Sequence, residues 1–222
     1  MADELVLLNV WPSPFGMRVR IALAEKGIHG YVTKEQDLFN KGALLLEMNP
    51  VHKLVPVLIH NGRPVCESLL IVQYIDEVWR NGYPLLHSDP SRSAKARFWA
   101  DYIDKKLYGP GRQVWLATGE AQAAAKEELI GCFKVLEAEL GEKPYFGGDS
   151  FGFVDVALIP FYSWFSVYEH FGNFSMVAEC PKLVSWAHRC TNERDSVSKC
   201  LPDQHKFFDF ILELREKLMP SQ

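Results

Sequence analysis

Cysteine is scarce in this chain of 222 residues and follows no pattern. The five, Cys66, Cys132, Cys180, Cys190 and Cys200, are an odd number with no C-x-x-C pair, and no histidine pair stands near them at metal spacing. The pattern signals neither a disulfide framework nor a zinc site, and no metal is expected. Excess charge is lacking too: 24 Lys and Arg against 28 Asp and Glu give a formal net charge of −4. A chain so close to neutral offers little attraction to nucleic acid or an anionic membrane, and neither is expected as a partner. Long hydrophobic runs are also missing. No stretch approaches the roughly 20 apolar residues of a membrane span, and the opening "MADELVLLNVW" sets acids ahead of a short apolar run, the reverse of a signal peptide. The expectation is a soluble protein of a reducing compartment, the cytosol, with a small-molecule partner.

What is present suffices for a core, since 48% of the residues are hydrophobic. The first eighty residues alternate strand and helix signals. "LVLLNVW" (5–11) is a nearly continuous apolar run that fits a strand covered on both faces, and "MRVRIALAEKG" shows helical spacing at Met17, Val19, Ile21, Ala22 and Leu23 with Gly27 as a stop. "YVTKEQD" fits a second strand. "VPVLIHNGRPVCE" reads as a hairpin about a tight Asn61-Gly62 turn, and "SLLIVQYIDEVW" returns to helical periodicity. The residues thus give β-α-β, an irregular stretch, then β-β-α, in a small mixed sheet with helices on its faces. "NGYPLLHSDP" (81–90) reads as a linker between a domain of residues 1–80 and one of residues 91–222. Beyond it, four long segments with helical spacing, "ARFWADYIDKKLYGPGRQVWLATG", "AQAAAKEELIGCFKVLEAELG", "VDVALIPFYSWFSVYEHFG" and "CPKLVSWAHRC", predict a helix bundle. In the third, Asp155 stands three residues after Gly152, where its carboxylate can reach back to the backbone N–H of a helix start. A structural cap is the first reading there and a catalytic acid the second.

Ser13, in "WPSPF", has two readings. A serine followed by proline is what a helix start favours, because its oxygen accepts from an orphan N–H and Pro14 has no N–H to lose. The same corner also suits an anion or a thiolate, because the helix dipole places about half a positive charge there. If Ser13 serves a sulfur, its oxygen should not be committed to capping.

"WPSPFGMRVRIALAEKGI", "NPVHKLVPVLIHNGRPVCESL", "RFWADYIDKKLY", "YFGGDSFGFVDVAL" and "LPDQHKFFDFI", in this order and across nearly the whole chain, resemble cytosolic glutathione transferases of the plant tau class. The resemblance implies an α/β thioredoxin-like domain of order β-α-β-α-β-β-α, then an all-α domain lining a hydrophobic substrate site, and a homodimer. Glutathione is the implied co-substrate and a hydrophobic electrophile the second substrate. The implied catalytic residue is Ser13, donating a hydrogen bond to the glutathione sulfur. Lys41 is implied to face the glycyl carboxylate, Val55 to pair its backbone with the cysteinyl unit ahead of a cis Pro56, and Glu67 and Ser68 to hold the γ-glutamyl end. Leu54 falls in the same set as a departure, since many members carry a lysine there. Resemblance and helical spacing together assign Phe15, Tyr108, Arg112, Trp115, Trp164, Phe210 and Leu214 to the electrophile site, which is expected to be apolar and to lie between the domains. Tyr108, Arg112 and Trp115 share one helical face if the helix survives "YGPGRQ", whose triplet Gly109, Pro110 and Gly111 could also kink it. The resemblance leaves peroxide reduction by the bound thiolate open as a second activity. The alternatives are a non-catalytic carrier of an apolar ligand such as a hormone, flavonoid or porphyrin, and an oxidoreductase working through Cys66.

Overall fold

A computed structural model describes residues 4–80 and 82–219. The chain divides into two compact units, Met1–Ser88 and Asp89–Gln222. The first runs β1 (Leu5–Asn9), α1 (Pro14–Glu25), β2 (Val32–Glu35), α2 (Ala43–Met48), β3 (Val57–His60), β4 (Arg63–Cys66) and α3 (Ser68–Val78). This is the β-α-β-α-β-β-α order of a thioredoxin-like domain, with the irregular stretch of the sequence holding α2. The sheet order is β2-β1-β3-β4, with β1 and β2 parallel and the other pairs antiparallel.

Alternation along β1 explains its unbroken apolar run. Leu8 faces a cluster with Leu45 of α2 and Val57 and Ile59 of β3, all buried. Leu7 points to the opposite face and is equally buried, as is Leu58 of β3. Each such leucine or isoleucine contributes about 1.5–3 kcal/mol by leaving water. The run ends two residues earlier than the sequence suggests, at Asn9, because Val10 turns out of the sheet to close a turn with Ser13. β2 is exposed along its length, and its Lys34 and Glu35 keep that open edge from pairing with another strand. The β3–β4 hairpin turns on Asn61 and Gly62, both at positive φ (49° and 77°) as a type I′ turn requires.

Register decides what the sheet presents at one end. Asn9 pairs with Glu35, Leu8 with Val57, and Val57 with Cys66. The segments after β1, after β2, before β3 and after β4 therefore all leave the sheet at the same edge. They carry Ser13, Lys41, Val55, and Glu67 with Ser68.

Part of the expected linker is pinned to the first unit. Buried Lys26 and Asp76 form an ion pair at 2.6 Å. Lys26 Nζ also donates to Tyr83 O at 3.0 Å, and the Asp76 carboxylate accepts from Leu85 N and Leu86 N at 2.9 and 3.0 Å. Asn81 lies outside the described residues.

The second unit is all-helical among its described residues. It comprises α4 (Pro90–Lys106), α5 (Tyr108–Leu116), α6 (Gly119–Leu140), α7 (Phe153–Leu158), a 3₁₀ segment (Ile159–Trp164), α8 (Phe165–Gly172), α9 (Met176–Glu179), α10 (Pro181–Glu193), α11 (Asp195–Ser198) and α12 (Gln204–Leu218). Asp89 caps α4, its carboxylate accepting from Arg92 N at 2.9 Å. Two of the long helical segments are broken, the first at the Gly109-Pro110-Gly111 stretch where the sequence allows a kink, and a proline explains each break. Pro110 has no N–H to offer Lys106, so α4 gives way to α5 at Leu107; Pro160 has none for Val156, so α7 tightens into the 3₁₀ segment. Gly111 completes the first of these corners, since a Cβ there would meet the Tyr168 hydroxyl at 2.6 Å.

Asp155 is structural. Its Oδ2 accepts from Gly152 N at 2.9 Å, and Oδ1 accepts from Phe146 N at 3.0 Å and Trp186 Nε1 at 2.8 Å. A single carboxylate, fully buried, thereby joins the start of α7 to the segment before it and to α10. No helix among the described residues is long and apolar enough to cross a membrane.

Candidate active site

Ser13 is set by its neighbours on both sides. Its N–H donates to Val10 O at 2.9 Å, closing the turn out of β1, and its carbonyl accepts from Met17 N at 3.1 Å as α1 begins. Pro12 and Pro14 restrict the backbone around it. Its Oγ does accept a cap bond, from Gly16 N at 3.3 Å. This corrects the expectation of an uncommitted oxygen. The two uses are compatible because a hydroxyl has one proton and two lone pairs: the cap takes a lone pair, at the long end of the hydrogen-bond range, and the proton stays available to donate. The first turn of α1 holds no acidic residue, so its dipole is not cancelled locally.

The other residues of the sheet edge fall where the register sends them. The Val55-Pro56 bond is cis, as expected, and Pro56 is buried. Lys41 lies in the loop ahead of α2 and is half-buried. Leu54 is 51% exposed, and it engages the fold through its carbonyl, which accepts from Asn49 Nδ2 at 3.0 Å. Its aliphatic side chain offers no charge to a carboxylate, and neighbouring Lys53, at φ 56°, is exposed. Glu67 is a non-glycine residue at φ 68°, ψ 117°, a backbone state costing about 1–3 kcal/mol and characteristic of functional corners. It directly precedes α3, whose first residue, Ser68, is buried.

Arg18 is a residue that periodicity alone does not single out. It stands on the apolar face of α1, fully buried, with NH1 donating to Ser68 Oγ at 3.0 Å and its guanidinium 5.1 Å from the Phe15 ring centroid. A buried cation beside a helix start that carries a free-to-donate hydroxyl is a site for a carboxylate. The arginine occupies a Ser68 lone pair, so the Ser68 proton is directed elsewhere.

The aromatic residues assigned to the second unit separate into two groups. Tyr108, Arg112 and Trp115 do lie on one helix, α5, with Tyr108 and Arg112 exposed and Trp115 buried. Trp115 packs on Trp164 with centroids 5.9 Å apart, and Trp164 in turn meets Tyr168 at 6.1 Å and Phe207 at 5.0 Å. Arg215 of α12 ties this cluster down, donating to Trp115 O at 2.7 Å. Phe210 and Leu214 follow Phe207 along α12, each half-buried. Trp115 is thus a core residue of the bundle, while Tyr108, Arg112, Phe210 and Leu214 keep surface.

Cys66 is poorly suited to redox catalysis. Burial first and the neighbouring Glu67 charge second push its thiol pKa up, which disfavours the thiolate. Its Sγ lies 3.6 Å from Met48 O, which accepts from it. Among the described residues no group of three or more His, Cys, Asp or Glu is arranged to hold a metal ion.

Known proteins are similar to this chain. Sequence profiles of the glutathione S-transferase N-terminal domain and C-terminal domain match residues 12–78 and 119–189. The chain is 60% identical over 218 residues to glutathione S-transferase U25 of Arabidopsis thaliana, covering 98% of both chains, and 58% identical over 221 residues to U19 of the same plant, covering 100% of both. Among solved structures it is similar to a rice enzyme crystallised with glutathione (49% identity, TM-score 0.91, 99% of both chains). It is also similar to a tau-class enzyme from mango (40% identity, TM-score 0.89, 95% of this chain and 98% of that one).

Proposed function

The chain belongs to the tau class of the glutathione S-transferase family and has glutathione S-transferase activity, and on that premise we propose that Ser13 activates the glutathione sulfur. The observation that carries this reading is the cap geometry: Ser13 Oγ spends a lone pair on Gly16 N at 3.3 Å and keeps its proton at the N-terminus of α1. A thiol of pKa roughly 8.5 is only a few per cent ionised at neutral pH, and the thiolate is the nucleophile. Lowering that pKa by about two units requires roughly 2.7 kcal/mol. One charge-assisted hydrogen bond of about 1.5–3 kcal/mol and a helix N-terminus of about 0.3–1 kcal/mol together have that size. Ser13 therefore acts as a donor and not as a base, and the proton that the thiol loses on ionising passes to solvent. The thiolate sulfur forms a bond to the electrophilic carbon, and with a halogenated aromatic the halide leaves with the electron pair.

Glutathione lies along the sheet edge in this reading. The Val55 backbone pairs with its cysteinyl unit, Glu67 meets its ammonium, and Ser68 at the start of α3 takes the γ-glutamyl carboxylate with Arg18 behind it. Lys41 faces the glycyl carboxylate, without the second cation that Leu54 replaces. Tyr108, Arg112, Trp164, Phe210 and Leu214 favour a hydrophobic second substrate, with Trp115 as their support. The enzyme works in the cytosol as a homodimer, so light scattering should return twice the chain mass of 25.3 kDa.

A crystal structure with S-hexylglutathione tests the assignment: Ser13 Oγ should lie within hydrogen-bonding distance of the sulfur, and a sulfur facing any other donor removes Ser13 from the mechanism. Arg18→Met should raise the KM for glutathione about tenfold, the effect of one lost charge-assisted contact. The KM for the electrophile should be unchanged. A shift confined to the electrophile would place Arg18 elsewhere in the reaction.

A further inference from the structure

Asn9 is the last residue of β1 and is 1% exposed. A polar side chain in that position calls for partners, and it has one. Its Nδ2 donates to Glu35 Oε1 of β2 at 2.8 Å, across the paired positions of the parallel ladder. A carboxylate can only accept, so the amide nitrogen must face Glu35 and the amide oxygen must face away. That oxygen, Oδ1, is buried and has no hydrogen-bond partner among the described residues. It lies instead against Gly16 in the first turn of α1. A Cβ built on Gly16 would overlap Oδ1 outright and come within 3.1 Å of Asn9 Cγ.

Gly16 is the residue whose N–H holds the Ser13 hydroxyl, at 3.3 Å. Between Asn9 and Gly16 the chain makes only the turn from Val10 to Ser13, closed at 2.9 Å. The Asn9 amide therefore fills the space between the strand the turn leaves and the helix it enters. Its own backbone is anchored to the far side, since Asn9 O accepts from Gln36 N at 2.8 Å.

We propose that Asn9, oriented by Glu35 and seated on the bare α-carbon of Gly16, is a positioning residue that fixes the first turn of α1 and thereby aims the Ser13 hydroxyl at the glutathione sulfur. The proposal rests on the reading of Ser13 given above. A hydroxyl held loosely donates in many directions, and a misplacement of about 1 Å at a reacting centre can cost a hundredfold. A polar group without a hydrogen bond is tolerated here because its oxygen contacts a Cα–H that only glycine can present so closely. Glycine at position 16 is then required by Asn9, not by its φ.

The test reads the pKa of the thiol in the enzyme–glutathione complex, from thiolate ultraviolet absorbance across pH, in four variants beside the native enzyme. Asn9→Ala should raise that pKa by about one unit, so that turnover near neutral pH falls about threefold and recovers in alkali. Its KM for glutathione should stay within about twofold, because no binding contact is removed. Gly16→Ala should raise the pKa further, toward the value of Ser13→Ala, by forcing Asn9 and the first turn apart. The double variant Asn9→Ala/Gly16→Ala should return to the single Asn9→Ala value, because the methyl then has room. An unmoved pKa in Asn9→Ala, with Ser13→Ala shifted, overturns the positioning role and leaves Asn9 a packing residue. Strictly additive shifts in the double variant overturn it as well. An unmoved pKa in Ser13→Ala overturns the reading of Ser13 and the proposal with it. Should Asn9→Ala fail to fold, Glu35→Ala on the exposed strand decides: releasing the amide should raise the pKa, and no change overturns the proposal.

Discussion

Ser13→Ala is expected to cut turnover near neutral pH by about 10- to 100-fold and to restore most of it in alkaline solution. The loss follows from removing a single donor worth about 1.5–3 kcal/mol while leaving the N-terminus of α1, worth about 0.3–1 kcal/mol, in place. The thiol pKa should climb most of the way back toward roughly 8.5, its value in water. Two further readouts separate this cause from misfolding. The KM for glutathione should change little, since the cations and backbone edge that hold the tripeptide are untouched. Stability should drop by about 1 kcal/mol, because the Gly16 N–H loses the oxygen it reaches at 3.3 Å. A pH–rate profile of purified enzyme with glutathione and a chlorodinitrobenzene checks the rate, and urea unfolding checks the cap. Native turnover in the variant at neutral pH would leave the serine a cap and nothing more. The choice of serine also constrains the chemistry: an oxygen cannot form a mixed disulfide, and the nearest thiol along the sheet edge, Cys66, has its pKa pushed up by burial and by Glu67. Conjugation is favoured over thiol-disulfide exchange by both residues.

Much of the first unit is legible in the sequence because its signals are local. The apolar run of β1, the Asn61-Gly62 turn and the serine between two prolines each depend on a few adjacent residues. The expected bundle is present too, and of the two breaks in its long segments only the one at Gly109-Pro110-Gly111 is signalled by the sequence. Apolar spacing continues smoothly through Pro110 and Pro160, and the missing N–H groups matter only to the hydrogen-bond ladder. The residues that periodicity passes over share a different property. Arg18 and Arg20 look alike in "MRVR", yet only Arg18 is fully buried, and its partner Ser68 is 50 residues away. Asn9 reads only as a polar interruption of an apolar run. Its task follows from the register that sets Glu35 beside it and from the bare α-carbon of Gly16 above it. Glu67 carries no composition signal at all for its positive φ. Such positions are set by tertiary pairing, so they become readable only when the strand order is known. Trp115 shows the converse. Its place on the same helical face as Tyr108 and Arg112 is right, but periodicity alone cannot say that it turns into the core while they keep surface.

The second large effect is expected at Asp155, where replacement by alanine should destabilise the protein by about 3–5 kcal/mol, because several buried donors each lose their acceptor at about 1–3 kcal/mol. Three donors would be orphaned at once: Phe146 N, Gly152 N and Trp186 Nε1. Asp155→Asn should cost less. Its oxygen can still serve Phe146 N and Trp186 Nε1, and only the bond from Gly152 N, which faces the new amide nitrogen, is lost at about 1–3 kcal/mol. The pH dependence provides an independent check with a definite sign. Burial raises the Asp155 pKa to about 6 from 3.8, against the pull of those three donors and of its own backbone N–H. A folded-state pKa above the unfolded one means that the folded protein holds a proton the unfolded chain has released. This group's contribution to stability is therefore full below the unfolded value and falls as pH rises through that window. Asp155→Asn has no proton to lose there. Urea unfolding across this pH range should show the native-minus-variant stability difference shrinking as pH rises, and a difference that grows instead would mean that the three donors outweigh burial and hold the carboxylate ionised.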